Sequence, residues 1–436
     1  MRALTLAWIG YALAILYASL IPFDLQPLAP AEALARLADI GWLTLTPGRR
    51  ADWIANLLLY LPWAALGMAA SAPRLGTTRA ALLVALAATL LALGIEALQV
   101  YFPPRTVSLN DPVAELLGTA LGVLLWTLVG HRLARLGARL RHPGAGAVDA
   151  ALGLFLLAYL GFVLFPFDLV LGVDEILDKA AAGRLGWLWA PVSDQGAVWA
   201  LARSLAEILT ALPLGILLAR HRRGPGTHAA AVVLGLALGL AIELVQVLLV
   251  SGVSQGVSVL TRALGAGLGA GLVITLRGLA PATRAALPRH ARWASLALLG
   301  PYLLLLVELQ LGGLPTPDRW RNPETILTDL QQLRFLPFYY HYYSSESGAL
   351  VSLVLNLGLY GMAGVLLVPW TSDRWGAYTW GGWVAVIVGG GLAFAVEGLR
   401  LVMGLGVDPT NVWVGGGGAW IGWGVVRARW VRDGRG

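Results

Sequence analysis

Long apolar stretches alternate with shorter polar segments along the whole chain. A helix of about 20 apolar residues is long enough to cross the roughly 30 Å hydrocarbon layer of a bilayer. The pattern therefore predicts an all-α membrane protein with about twelve transmembrane helices. The predicted spans are residues 3–21, 53–70, 79–101, 112–130, 147–166, 198–220, 228–250, 257–277, 293–312, 347–369, 379–403 and 410–427.

The composition agrees with this prediction. Of the 436 residues, 58% are apolar and 13% are charged, whereas a soluble domain has about 25% charged residues. An ordinary soluble enzyme and a disordered chain are both excluded. The chain contains no cysteine, which excludes disulfides, thiolate metal sites and a cysteine nucleophile.

Charged residues sort by sign onto opposite sides of the predicted helices. With the N-terminus inside, most arginines fall in inner segments, as Arg2 and Arg132 do, and most acidic residues fall in outer ones, as Asp318 does. The positive-inside rule therefore predicts that both termini lie in the cytoplasm. The net charge of +7 then faces anionic lipids, so we expect membrane lipids and no nucleic acid as partners.

The first apolar run follows Arg2 and has the form of a signal peptide. However, Pro22-Phe23-Asp24 after this run recurs as Pro166-Phe167-Asp168 deep inside the chain. We therefore expect the first segment to be a retained helix.

A pattern of polar residues recurs with a period of roughly 145 residues, the mark of an internal repeat. It predicts three four-helix units at residues 1–145, 146–290 and 291–436. Because each unit has an even number of spans, the three units run parallel. The matched polar positions are Asn56, Glu207 and Asn356 in the second helices, and Glu96-x2-Gln99, Glu243-x2-Gln246 and Glu397-x2-Arg400 in the third helices.

Each predicted fourth helix opens on a polar residue and carries glycines on the same face. Positions 0, +4, +7 and +11 share one face of a helix, and small residues there let a neighbouring helix approach closely. Helix packing is therefore the role we favour for the glycines. The four positions are Asp111, Glu115, Gly118 and Gly122; Ser258, Arg262, Gly265 and Gly269; and Asn411, Gly415, Gly418 and Gly422.

These residues resemble the VanZ-like family of four-span membrane proteins, named for a determinant of teicoplanin resistance. The family combines Pro-Phe after the first span, Asn with a later Pro in the second, Glu-x2-Gln in the third, and Asp-x3-Asn-x2-Gly-x3-Gly in the fourth. The first unit matches at Pro22-Phe23, Asn56 with Pro62, Glu96 with Gln99, and Asp111 with its two glycines, but has Glu115 in place of Asn.

The other two units depart further from the family pattern. Glu207 and Arg262 replace asparagines in the second unit. In the third unit Arg400 replaces glutamine, and no clear Pro-Phe ends the ninth span. The resemblance implies residence in the bacterial cytoplasmic membrane and a link to antibiotic resistance, and it carries no catalytic residues.

Six glutamates fall in predicted spans, where a charge costs about 2.5–3.5 kcal/mol on insertion scales and marks a candidate functional site. In the first unit no basic residue lies within a span, so we predict a ligand-binding set there. Its members are Asn56, Glu96, Gln99, Asp111 and Glu115. In the other two units the alternative is structural ion pairing, among Arg203, Glu207, Glu243, Arg262, Glu397 and Arg400.

No metal-ligand spacing, serine–histidine–aspartate arrangement or phosphate-binding glycine loop is present in the sequence. We therefore expect no metal and no cofactor, and favour a non-enzymatic protein. Its outward-facing polar cleft would bind an amphiphile, a cell-wall lipid precursor or a lipoglycopeptide. One alternative is a transporter coupled to protons through its glutamates. Another is a membrane transferase that uses Asp24 or Asp168 as general base on a lipid-linked sugar.

Overall fold

The computed structural model describes residues 2–141, 145–190, 197–371 and 378–433, which are mostly helical. The helices are α1 (Arg2–Leu20), α2 (Pro30–Ala38), α3 (Pro47–Leu75), α4 (Thr77–Gln99), α5 (Asn110–Arg141), α6 (Ala145–Leu164), α7 (Val173–Ala181), α8 (Ala197–His221), α9 (Thr227–Val247), α10 (Gly256–Gly278), α11 (Pro281–Leu311), α12 (Pro323–Gln332), α13 (Tyr339–Tyr342), α14 (Glu346–Thr371), α15 (Tyr378–Val402) and α16 (Thr410–Asp433). Strands β1 (Leu185–Gly186) and β2 (Ser254–Gln255) pair in parallel.

Ten helices in the described ranges are long and apolar enough to cross a membrane. They are α1, α3, α4, α5, α8, α9, α10, α11, α14 and α15, each in whole or in part. Helix α6 supplies a shorter apolar stretch, Val148–Leu164. The prediction of an all-α, multi-pass membrane protein is confirmed at this level, while the count of twelve spans and their direction stay predictions.

The chain divides into two compact units, residues 1–274 and 275–436. The predicted division at residue 145 adjoins residues 142–144, which lie outside the described ranges. In the first compact unit α3 packs against α1, α4 and α5, around a buried core that includes Ile15, Tyr60 and Met68. In the second, α14, α15 and α16 pack together.

The glycines of the predicted fourth helices lie where two helix backbones touch. A Cβ on Gly118 would overlap the carbonyl oxygen of Leu57, and one on Gly122 would overlap that of Leu61, both in α3. Only glycine allows this approach, because the atom that blocks a side chain is backbone. The other contacts follow the same pattern: Gly265 with Ile208, Gly269 with Leu212, Gly418 with Leu357, and Gly422 with Gly361.

The Pro-Phe pairs end in an unusual backbone conformation. Phe23 and Phe167 have φ values of 64° and 61°, in the left-handed region that bulky residues rarely adopt. The sequence shows no Pro-Phe at the end of the ninth span, yet Phe338, which follows Pro337 far beyond α11, has a φ of 61° as well. Phe338 therefore shares the positive φ of Phe23 and Phe167, whereas the cis peptide bonds found before Pro22 and Pro166 are not found before Pro337.

The segment around α7 is held against neighbouring helices by two basic side chains. Arg50 is 8% exposed and binds both the Glu175 carboxylate and, at 2.5 Å, the carbonyl of Leu169. Lys179 is 3% exposed and donates to the carbonyls of Gln246 (2.5 Å) and Leu249 (2.6 Å) at the end of α9. A cation is favourable at a helix C-terminus, where carbonyls lack partners.

Candidate functional site

Three carboxylates come together in the first predicted unit and are called the acidic cluster: Glu96, Asp111 and Glu115. Glu96 lies in the last turn of α4, and the other two lie in the first turns of α5. Glu96 is 5% exposed and Glu115 is 4% exposed. Each is close enough to the other two to interact electrostatically. The approach of α4 to α5 thus buries three acids side by side.

Hydrogen bonds orient two of these carboxylates. Asn56 donates from Nδ2 to Oδ1 of Asp111 at 3.0 Å, and the backbone N–H of Ser108 donates to Oε2 of Glu96 at 3.2 Å. Gln99 points elsewhere, because its Nε2 donates to the carbonyl of Ser19 at 2.9 Å. Four of the five predicted ligand-binding residues therefore meet, and Gln99 ties α4 to α1.

Glu115 is the member of the cluster whose carboxylate is least satisfied. Among the described residues, its Oε2 is buried without a hydrogen-bond partner of ordinary geometry. The buried hydroxyl of Tyr60 is its nearest donor and interacts with the Glu115 carboxylate. Leaving a buried polar group unsatisfied costs about 1–3 kcal/mol, and more for a charged group. This position is therefore the chemically unusual part of the cluster.

A cleft of about 420 Å³ opens next to the cluster. It lies between the segment after α2 and the loop that joins α4 to α5. Gln99 is the predicted site residue that lines it, while the carboxylates lie behind the loop rather than on the cleft wall. The lining residues are Arg36, Asp39, Ile40, Gly41, Leu43, Gln99, Val100, Pro103, Arg105 and Val107.

A two-way hydrogen bond joins the cleft wall at Leu43 to the start of α5 at Asn110. Oδ1 of Asn110 accepts from the N–H of Leu43 at 3.0 Å, and its Nδ2 donates to the carbonyl of Leu43 at 2.9 Å. Arg105 binds the carbonyl of Ala18 and interacts electrostatically with Asp111. Arg36 and Arg105 thus give the cleft rim two basic side chains beside Asp39, and Arg36 is paired with Glu32 at 2.8 Å.

The matched position in the second predicted unit holds an internal cation. Arg262 is 2% exposed; its Nη1 donates to Oε1 of Glu243 at 2.6 Å and its Nε donates to the Tyr159 hydroxyl at 2.8 Å. The other oxygen of Glu243 accepts from the N–H of Gln255 at 2.6 Å. The Glu243 carboxylate is thus fully partnered within the protein.

Glu207 in the second unit is also well partnered. It accepts from the hydroxyls of Ser258 (2.8 Å) and Thr261 (2.5 Å). Arg203, one turn earlier, approaches it at 3.4 Å but stays 45% exposed. Glu207 therefore contacts Arg203, but its hydrogen bonds to the hydroxyls of Ser258 and Thr261 are shorter.

In the third predicted unit two asparagine amides form a hydrogen-bonded chain that ends on the glutamate. Oε1 of Glu397 accepts from Nδ2 of Asn411 at 2.8 Å, and Asn411 in turn accepts from Asn356 at 3.0 Å. Arg400 lies 3.7 Å from Glu397 and donates to the carbonyl of Gln310 at 2.9 Å. Arg400 therefore makes the kind of helix-to-helix contact that Gln99 makes in the first unit.

One group found by the structure and missed in the sequence is a backbone amide that recurs near each glutamate. The N–H of Ser108 binds Glu96, that of Gln255 binds Glu243, and that of Asp408 binds Glu397 at 2.9 Å. Each amide lies 11 or 12 residues after its glutamate. The nearly constant distance from the glutamate to the residue that supplies the amide was the one signal in the sequence. The residue types that supply the amide differ, so no side-chain pattern marks them.

Asp408 also contacts a histidine side chain outside the membrane-spanning helices. Oδ2 of Asp408 lies 2.9 Å from Nδ1 of His341, and its Oδ1 accepts from the N–H of Thr410 at 2.9 Å. Burial by itself would raise the pKa of Asp408, but the hydrogen bonds of His341 and Thr410 outweigh it and hold that pKa below its ordinary value.

The two aspartates named for the transferase alternative lie in different surroundings. Asp168 is 4% exposed, and both its carboxylate oxygens accept hydrogen bonds from Ser251, at 2.8 and 2.9 Å. Asp24 lies on the surface, outside the cleft lining. Within the described ranges no group of three or more His, Asp or Glu side chains is arranged to hold a metal ion.

Fold and site together define a multi-pass helical membrane protein with a buried polar cluster at one end of its first helices. Residues 7–130 match the family model described as VanZ/LLP1, so this part of the chain is similar to that family. The match contains the whole acidic cluster and most of α1 to α5. No curated protein and no solved structure matches the chain.

Proposed function

We propose that the chain consists of three VanZ-like units of four spans each, that the three units run parallel to one another, and that both termini lie on the cytoplasmic side of a bacterial cytoplasmic membrane. The recurring amide-to-glutamate hydrogen bond supports this organisation, and so do the glycine contacts that recur at matched positions in α5, α10 and α16. The charge distribution supports the orientation.

The first unit binds the head group of an amphiphile, such as a cell-wall lipid precursor, without chemical conversion. The observation that carries this proposal is the cleft at the end of α4, with a basic rim at Arg36 and Arg105 and Gln99 on its wall. Guanidinium groups recognise phosphate and carboxylate through charge-assisted, often bidentate hydrogen bonds. Apolar surface beside the cleft, as at Ile40 and Val107, is accessible to the start of a lipid chain.

Binding of a lipid precursor or of a lipoglycopeptide at this cleft would change glycopeptide tolerance. In this account the protein sequesters or presents the amphiphile at the outer surface of the membrane. The second and third units, whose buried glutamates are partnered internally, serve as scaffold for the first.

The cleft can be blocked without disturbing the core. Gly41 lines the cleft, and a Cβ added to it would meet no other atom within 4 Å; Gly48, outside the cleft, has the same open surroundings. We expect Gly41→Trp to fill the cleft and to lower binding of a fluorescent phospholipid by at least about tenfold, a loss of about 1.4 kcal/mol. Gly48→Trp is the matched control and should bind as the wild type does.

The same pair of variants tests the role in tolerance. In a strain in which deletion of the gene changes lipoglycopeptide susceptibility, Gly48→Trp should restore the wild-type level and Gly41→Trp should not. Full restoration by Gly41→Trp, with unchanged lipid binding, would contradict the cleft as the functional site.

A proton-coupled transporter is the second candidate, favoured by the incompletely partnered carboxylate of Glu115. A buried glutamate of this kind can take up and release a proton. Flux into proteoliposomes that follows a pH gradient and disappears in Glu115→Gln would support transport. Flux that ignores the gradient would remove this candidate.

A further inference from the structure

Helix α7 and the segments on either side of it form an apolar surface outside the spans. Leu171 is 75% exposed, Val173 71%, Leu177 60% and Trp187 98%. Contiguous exposed apolar side chains of this kind mark contact with a membrane or with another protein. Within the described part of the chain these side chains stay largely uncovered, so the surface is open to an external partner.

The exposed side of α7 is divided lengthwise into an apolar flank and an acidic flank. Val173 and Leu177 are four residues apart and share one face of the helix, and Asp174 and Asp178 share the adjoining face. All four are exposed, whereas Lys179, on the opposite side, is buried against α9. A helix that lies along a membrane surface has this division, with one flank toward the acyl chains and the other toward water.

Backbone hydrogen bonds place the segment at the level where spans end. Ahead of α7, the N–H of Val170 donates at 2.8 Å to the carbonyl of Leu248, which directly follows α9. After α7, the carbonyl of Trp187 accepts at 3.1 Å from the N–H of Gly256, the first residue of α10. Both α9 and α10 are long and apolar enough to cross a membrane, so their adjoining ends mark its boundary. Tryptophan is enriched at this boundary in membrane proteins.

The apolar surface continues onto the exposed side of α9. Leu169, which is 53% exposed, pairs with Leu249 in an antiparallel bridge. Leu244 and Leu248, at the end of α9, are 60% and 52% exposed. Side chains exposed on a span face lipid, so the lipid around α9 reaches the α7 segment directly. This continuity favours the bilayer over a protein as the partner.

A short amphipathic helix occupies the matched place in each predicted unit. Each carries an exposed leucine four residues after its first residue: Leu34 after Pro30 in α2, Leu177 after Val173 in α7, and Leu327 after Pro323 in α12. The chain ahead of each helix donates a backbone N–H to a carbonyl at or just after the end of the third span: Gln26 to Tyr101, Val170 to Leu248, and Arg321 to Val402. The placement of α7 therefore follows a recurring arrangement.

We infer that α7 lies in the head-group layer of the leaflet at which α9 ends. Val173, Leu177 and Trp187 are inserted among the lipids, and Asp174 and Asp178 face water. The partner of this surface is thus the bilayer itself. The inference does not depend on the ligand proposed for the cleft, because it uses other residues and another partner.

Site-directed spin labelling tests this placement, since the chain contains no cysteine of its own. Leu177→Cys and its matched control Asp178→Cys are labelled with a nitroxide, and the full-length protein is placed in nanodiscs of phosphatidylcholine. Collision rates of each label are measured with oxygen, which concentrates in lipid, and with a water-soluble nickel chelate. We expect the ratio of oxygen to nickel collisions to be several-fold higher at position 177 than at position 178.

Trp187→Cys reports on the same surface from outside the helix, and keeps the test available if Leu177→Cys does not fold. Its ratio should also exceed that at position 178 several-fold. Ratios at positions 177 and 187 as low as the control would overturn the inference, because the segment would then stand in water. Low collision rates with both reagents at these two positions would overturn it as well, since a protein surface would then cover them.

Discussion

Replacement of Arg262 tests whether its guanidinium stabilises the buried Glu243 carboxylate in the second predicted unit. In Arg262→Met the Glu243 carboxylate keeps the amide of Gln255 but loses its cation, and the Tyr159 hydroxyl loses a donor. Both members of the ion pair are buried, with side chains 3% and 7% exposed. Breaking such a pair by removing one partner costs about 3–5 kcal/mol, because the remaining charge stays buried.

Arg203→Gln provides the comparison within the same unit. Arg203 is 45% exposed and lies 3.4 Å from Glu207, and an exposed ion pair contributes about 0.2–1 kcal/mol. Glu207 moreover keeps its two hydroxyl donors in this variant. The two arginine substitutions should therefore differ by at least about 2 kcal/mol, although both remove one positive charge.

Unfolding in mixed micelles by titration with dodecyl sulfate, followed by tryptophan fluorescence, gives the free energies. The cycle is completed by Glu243→Gln and by the double variant Arg262→Met/Glu243→Gln. We expect the double variant to recover at least half of the loss, since no uncompensated charge remains. A loss in Arg262→Met no larger than that in Arg203→Gln would refute the assignment of Arg262 as the internal cation.

Three further predictions concern packing, pH and the α7 segment. Gly118→Ala should destabilise the protein by about 1–3 kcal/mol through overpacking against the α3 backbone. Gly94 has open space around it, so Gly94→Ala should be neutral or stabilising by up to about 1 kcal/mol. Thermal unfolding measures both changes. The lowered pKa of Asp408 stabilises the fold at neutral pH, and this contribution is lost as the pH falls through that pKa, below 3.8. In Asp408→Asn the melting temperature should therefore fall less steeply with decreasing pH in the acid range than it does in the wild type. Arg50→Gln removes the ion pair to Glu175 and should speed cleavage of residues 165–184 in limited proteolysis. An unchanged rate would contradict the role of Arg50 in holding the α7 segment in place.

The helices and the matched polar positions were predictable because both depend on spacing. Apolar length predicts a span, and offsets of 4 and 7 keep residues on one face, so Gly118 and Asp111 could be assigned to one stripe from the sequence. Asp111 and Glu115 share a face of α5 for the same reason, whereas their approach to Glu96 depends on how α4 packs against α5.

The cleft was not predictable from these patterns. Its walls come from α2 and from the loop after Gln99, and neither is a long apolar stretch that would predict a span. No pattern in the sequence distinguishes Arg105 from the other arginines of the predicted outer loops. The amide donors at Ser108, Gln255 and Asp408 are backbone groups that any residue type except proline supplies. Tertiary approach of α4 to α5, which sequence does not display, decides that Gln99 faces the cleft while Glu96 lies behind it.

The most direct test of the central claim is an experimental density map of the protein purified from its own membranes. We expect density for an amphiphile whose head group lies in the cleft against Gln99 and Arg105. A map in which this cleft holds only water, or in which the amphiphile lies elsewhere in the chain, would contradict it.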